Sequence, residues 1–258
     1  ASRKSIGAAI EAADTDAVQQ VAKDQDEAGA DFLDVNAGTF VDKEPEYLTW
    51  LVKTVQAVSE KPCSIDSPDP KAVEAALSVH RGTPLINSIS LEKERLENLL
   101  PLLAGTDLKV IALCMGDEGM PETVEDRMRI AEALVNRLIQ NRVRMENIFV
   151  DPLVQPISVN NRFGMEFLNA VERVVESFEG IHAACGLSNI SYGLPARKVL
   201  NRIFMAMAIA KGLDGAIVNP LDPEMMACIT VAEALAGRDD YCGRLLQSYR
   251  QGAFDGGK

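Results

Sequence analysis

Histidine is nearly missing from this chain, with two residues in 258, and neither His80 nor His182 stands in an HExxH or related spacing. A catalytic zinc site carried by the protein is therefore not expected. The five cysteines, Cys63, Cys114, Cys185, Cys228 and Cys242, form no CxxC pair and no disulfide framework. Cys63, Cys114 and Cys185 fall in apolar runs, where a reduced core thiol is expected. Aromatic residues are only 5% of the chain. No apolar run approaches the ~20 residues that cross a bilayer. No basic-then-apolar leader opens the sequence, so the cytoplasm is the expected address. Excess positive charge is also lacking: acidic residues outnumber basic ones 38 to 26, a net charge of −12. Such a surface repels phosphate backbones and anionic lipid, which argues against nucleic acid and membrane as partners.

What is present is a regular alternation. Apolar runs at 31–37, 62–66, 84–87, 109–115, 148–151, 181–187 and 215–218 read as strands. Between them lie helical stretches at 17–28, 45–58, 70–79, 91–103, 124–140, 164–177, 197–211 and 222–236. In the stretch 124–140, Val124, Met128, Ala131, Leu134, Val135 and Leu138 recur at helical steps. Ser67-Pro68-Asp69-Pro70 and Leu221-Asp222-Pro223 punctuate helix starts. Phe204, Met205 and Met207 at helical spacing read as core packing. Repeated strand–helix units require a parallel sheet with long crossovers. The α/β class follows, and a (β/α)8 TIM barrel is the expected fold, its first strand lacking because residues 5–13 read as helix. No linker divides the chain, so residues 1–258 are expected to form one domain.

Reactive groups of a (β/α) barrel gather where strands end. Here those positions carry Asp34, Asn36, Asp66, Asn87, Asp151, Asn189 and Asn219. Singly, such residues cap helices or make turns, and Asp66 and Asn219 have that reading open to them. Together they form a set of carboxylates and carboxamides, with no Ser-His-Asp group, no Gly-rich phosphate loop and no strand-end lysine. Aspartate accepts paired hydrogen bonds and asparagine both donates and accepts. Their combination suits a neutral planar heterocycle with an amino-pyrimidinone edge, such as a pterin.

The segments GADFLDVN (29–36), SIDS (64–67), INS (86–88), VDPL (150–153), GLSNIS (186–191), NRIFMAMA (201–208) and GLDGAI (212–217) resemble, in order and spacing, the methyltetrahydrofolate–corrinoid protein methyltransferases among the pterin-binding barrels. The resemblance implies that Asp66, Asn87 and Asp151 grip the pterin, with Asn36 beside them. It places Asn189 next to folate N5, with Asn189 and Asp66 as the catalytic pair, and makes Arg197 a substrate-binding arginine. Tetrahydrofolate or methyltetrahydrofolate is then the substrate, and the cobalamin or other corrinoid rides on a separate partner protein. The chain has no Asp-x-His-x-x-Gly corrinoid motif of its own. Tyr192 stands where some relatives have glutamine, and the Gly-Glu-x-x-Asn motif of a first strand is not in the sequence. Related proteins imply a homodimer. A dihydropteroate synthase-like pterin enzyme, or a non-catalytic folate-binding partner of a corrinoid protein, are the alternatives; Leu187-Ser188-Asn189 lacks the lysine that synthases place there.

Overall fold

The computed structural model describes residues 4–254. Its strands are β1 (Leu33–Asn36), β2 (Cys63–Asp66), β3 (Leu85–Leu91), β4 (Lys109–Gly116), β5 (Ile148–Asp151) and β6 (His182–Ala183). Its helices are α1 (Lys4–Glu11), α2 (Thr15–Glu27), α3 (Glu44–Gln56), α4 (Pro70–Leu77), α5 (Lys93–Leu103), α6 (Val124–Gln140), α7 (Phe163–Ser177), α8 (Arg197–Ala210), α9 (Pro223–Leu235) and α10 (Gly243–Arg250). The strands form one sheet in chain order, β1-β2-β3-β4-β5-β6, with helices between them. This is the α/β arrangement of a (β/α) barrel, in which each strand reaches its parallel neighbour through a helical crossover.

Two compact units partition the chain: residues 1–112 with 135–148, and residues 113–134 with 149–258. In the first, the period of two along parallel strands separates two faces. Leu33, Val35, Cys63, Ile65 and Ile86 are buried with Leu48 and Val52 of α3 and Val73 of α4. Asp34, Asn36, Ser64, Asp66 and Asn87 occupy the alternate positions. Asp69 caps α4 by accepting from Lys71 N at 3.0 Å, with Pro70 opening the helix. That leaves Asp66 free of the capping role its sequence position also allowed.

In the second unit, Phe167, Leu168 and Val171 of α7 pack with Leu187, Phe204, Met205, Ala208 and Met225. Phe204 and Met205 are thus core, as expected, but Met207 is exposed, because it lies on the opposite side of α8. Asp222 caps α9 by accepting from Met225 N at 3.2 Å. The expected seventh strand, 215–218, is not a strand. Gly215 and Ile217 donate to Ala183 and Cys185 carbonyls at 2.9 Å, leaving a single parallel bridge from Ile217 to Gly186. Helix α10 was not expected from the sequence; it opens on glycine and contains no buried residue.

Candidate functional site

Parallel pairing sets the first group of side chains. The register aligns Asn36 with Asp66, and Asp66 with Asn87, so three polar residues make one row across three neighbouring strands. Asn36 Nδ2 donates to Asp66 Oδ2 at 2.9 Å and to Asp66 O at 3.1 Å, while its Oδ1 accepts from Gly38 N at 3.1 Å. The carboxamide is therefore locked in one orientation. Two residues earlier on each strand, Ser64 Oγ donates to Asp34 Oδ1 at 2.8 Å. Asn87 Nδ2 reaches the same Asp34 oxygen at 3.4 Å.

Two carboxylates thus share one face of the sheet. Burial raises the Asp66 pKa to about 6, and the neighbouring Asp34 charge adds to the rise, against the Asn36 hydrogen bond that lowers it. Asp34 is also raised by burial, opposed by Ser64 and Asn87. Both oxygens of Asp66 keep lone pairs beyond the single bond from Asn36, so the group can take two donors from a ligand edge.

The second group stands at the end of β5 and beyond β6. Asp151 is buried, and desolvation lifts its pKa to about 6 although the Leu153 and Gly186 backbone N–H groups and the Arg127 charge pull it down. Leu153 N donates to Asp151 Oδ1 at 2.8 Å from a left-handed backbone, φ 67°. Gly186 opens the short 3-10 turn Leu187–Ser191 that bears Asn189. Asn189 Nδ2 lies 3.8 Å from where a Cβ on Gly186 would stand. The Asn189 side chain is exposed and makes no hydrogen bond among the described residues.

Arg197, at the start of α8, spends two nitrogens on that turn: Nη2 donates to Ser188 O at 2.9 Å and Nε to Ser191 Oγ at 3.1 Å. It clamps the Asn189 turn, and its Nη1 makes no bond among the described residues. Tyr192 is exposed beside the turn, its carbonyl accepting from Ser158 Oγ at 2.7 Å.

Every site residue expected from the sequence therefore falls in one of two groups, Asn36–Asp66–Asn87 in the first unit and Asp151–Asn189–Arg197 in the second. Sequence reasoning missed Gln155 and Asn201 of the second unit, whereas Asn219 was already among the strand-end polar residues. Gln155 is buried with Oε1 unpartnered; Asn201 Oδ1 and Asn219 Oδ1 are buried acceptors without donors among the described residues. Asn219 does make the turn expected of it, its carbonyl accepting from Asp222 N at 3.1 Å, but its side chain is left wanting a donor. Buried unpaired acceptors are costly and call for a ligand or water donor. The third omission is Arg127, which is completely buried. Its signal was legible: it stands three, four and seven residues before Ile130, Ala131 and Leu134, on the apolar face of α6.

No group of three or more potential metal ligands occurs among the described residues. None of their helices is long and apolar enough to cross a membrane.

Known proteins resemble this chain in sequence and in fold. Over 246 residues the chain is 36% identical to the methylcorrinoid:tetrahydrofolate methyltransferase of Eubacterium limosum, covering 95% of this chain and 91% of that one. It is 30% identical over 211 residues to methionine synthase of Mycobacterium leprae, covering 77% of this chain but only 18% of that much longer protein. Among solved structures, a Coxiella burnetii dihydropteroate synthase in complex with pteroic acid superposes with a TM-score of 0.69 at 14% identity, covering 86% of each chain. At that identity the likeness is one of fold. The sequence model of the pterin binding enzymes matches residues 2–219, and with the relatives above it establishes that this chain belongs to the pterin binding enzyme family.

Proposed function

We propose that this protein is a methyltransferase that moves a methyl group between N5 of tetrahydrofolate and the cobalt of a separate corrinoid protein. The 36% identity to a methylcorrinoid:tetrahydrofolate methyltransferase over nearly the full length of both chains carries this reading. The donor and acceptor inventory of the two polar groups supports it. Asp66 and Asp151, held as hydrogen-bond acceptors, suit the amino and ring N–H donors of a pterin, and Asn87 supplies a donor and an acceptor for its carbonyl side. Asn36 fixes Asp66 in place, and Arg197 holds the Asn189 turn while keeping one nitrogen for the substrate.

The chemistry sets what the residues must do. N5 of methyltetrahydrofolate is a tertiary amine and a poor leaving group, so departure requires a proton or a strengthening hydrogen bond at N5. A carboxamide is too weak an acid to supply that proton. Asn189 instead orients a proton that arrives through water, and in the reverse direction it orients the N5 lone pair for attack on the methyl group. Toward the corrinoid, the methyl–N5 bond breaks as cobalt(I) supplies the electron pair of the methyl–cobalt bond, and N5 takes a proton from solvent. In reverse, the N5 lone pair forms the methyl–N5 bond, the electron pair returns to cobalt and the N5 proton passes to solvent. The Eubacterium relative is named for transfer from methylcorrinoid to tetrahydrofolate.

We further propose that residues 1–258 work as one pterin-binding methyltransferase domain, in the cytoplasm and as a homodimer. Val199, Ile203 and Met207 recur every four residues as an exposed apolar stripe on α8, which supports self-association through that helix.

The deciding experiment separates binding from transfer. Asn189→Ala should retain tetrahydrofolate affinity within about tenfold yet slow single-turnover methyl transfer by roughly 10²–10³-fold. Undiminished transfer would remove Asn189 from the mechanism, and no transfer in the wild type with any corrinoid acceptor would remove the activity.

A further inference from the structure

Among the described residues, Arg127 has the largest completely buried side chain, and it forms no salt bridge there. A buried guanidinium stays charged, so its donors must be satisfied where they stand. All of those found go to backbone carbonyls. Nε donates to Pro152 O at 2.9 Å, Nη2 to Leu153 O at 3.4 Å and Nη1 to Thr123 O at 3.1 Å. Two of the three acceptors belong to the residues that directly follow Asp151.

That segment is held in a conformation leucine avoids. Leu153 has φ 67°, a left-handed geometry that crowds the Cβ of any non-glycine residue against its own backbone. The conformation turns Leu153 N toward Asp151, giving the 2.8 Å bond to Oδ1. Relaxing Leu153 to ordinary backbone would withdraw both its N–H from Asp151 and its carbonyl from Arg127.

We infer that Arg127 is a positioning residue: its guanidinium pins the Pro152 and Leu153 carbonyls, and through the Leu153 turn it aims the Asp151 carboxylate at the ligand. The inference rests on the reading of Asp151 as a pterin-gripping group. Its electrostatic side is consistent. Asp151 is surrounded by the buried thiols Cys114 and Cys185, which offer it no positive charge, and Arg127 is the cation acting on it. Arg127 in turn faces Asp126 and Glu166. Glu166 is engaged by Arg162 and by Val124 N, and Asp126 by the Thr123 hydroxyl.

The test measures tetrahydrofolate affinity by calorimetry between about pH 5 and 8 for Arg127→Met, Arg127→Lys, Asp151→Asn and the double variant Arg127→Met with Leu153→Gly. Arg127→Met should weaken binding about tenfold or more and move the midpoint of the pH dependence upward, because both the clamp and the charge are lost. Arg127→Lys keeps the charge but offers one nitrogen where three are used, so affinity should fall with the midpoint unmoved. Glycine at position 153 takes the left-handed turn unaided and should restore part of the affinity in the double variant.

Wild-type affinity and midpoint in Arg127→Met overturn the inference; if that variant does not fold, the same result in Arg127→Lys does so. A loss of affinity with no shift in midpoint for Arg127→Met and no rescue by glycine also overturns it, since a purely structural role predicts that pattern. Asp151→Asn separates the premises: undiminished binding there defeats the assignment of Asp151 itself, whereas lost binding there with intact Arg127 variants defeats the role of Arg127 alone.

Discussion

Asp66 and Asp151 each have a pKa near 6, raised from 3.8 chiefly by burial. A carboxyl whose pKa is higher in the folded than in the unfolded chain contributes stability that is fully present below 3.8 and lost as the pH rises through about 6. At neutral pH both carboxylates are thus held against the interests of the ligand-free fold. Asp151→Asn should raise the melting temperature around pH 8 and leave it unchanged near pH 3.5; the ceiling is roughly 3 kcal/mol, and about 1 kcal/mol for the more accessible Asp66→Asn. The same substitutions should weaken folate binding, and wild-type affinity should decline below about pH 6 by up to about tenfold per unit for each of the two acceptors as it protonates. Calorimetric melts and binding isotherms across pH check both halves. A melting temperature lowered by Asp151→Asn at pH 8 would contradict the first. The thiols divide by the same physics. Burial pushes Cys63 up to about 12 and raises Cys114 and Cys185 also, whereas Cys242 is exposed. A thiol reagent on the native protein should modify Cys242 rapidly and reach Cys63, Cys114 and Cys185 only on unfolding.

Among elements, the junction from α8 to the segment beside β6 is the most constrained. Gly212 ends the helix at φ 109°, and a Cβ there would lie 2.7 Å from Val175 Cγ2 of α7. Gly212→Ala is therefore strained in backbone and in packing at once. It should destabilise by roughly 2–4 kcal/mol and lower the melting temperature by several degrees. An unchanged melting curve would show that α7 and α8 yield more readily than their packing implies. The sequence located most elements because local period and punctuation agree with the fold. Helix α6 has the expected bounds, its apolar residues repeating over seventeen positions, and α4 and α9 start at the anticipated Asp-Pro pairs. Helix α5 starts at Lys93 instead of Leu91 because β3 runs on to Leu91. Residues 215–218 are apolar enough for a strand but make only one bridge. Ladder length depends on the neighbour, and β6 is itself only two residues long.

At the scale of the whole molecule, a net charge of −12 opposes self-association unless an apolar face outweighs it. Val199, Ile203 and Met207 on α8 are 53%, 58% and 43% exposed, a continuous apolar stripe. Ile203→Glu should convert the proposed dimer to monomer in sedimentation equilibrium without loss of fold; an unaltered mass would place the interface elsewhere or nowhere. The fold class and the family were legible in the linear chain, because strand–helix alternation and short motifs at Asp66, Asn87, Asp151 and Asn189 are local in sequence. So was the chemical character of the site, since carboxylates and carboxamides declare their hydrogen-bonding capacity by type. Tertiary structure alone decided how those groups are held. Strand register brings Asn36, thirty residues away, onto Asp66, the Leu153 turn fixes Asp151, and Arg197 is committed to the Asn189 turn. The buried Arg127 lies on a helix read as ordinary amphipathic packing. Orientation and pKa depend on neighbours remote along the chain and on the water they exclude, and no local pattern encodes either.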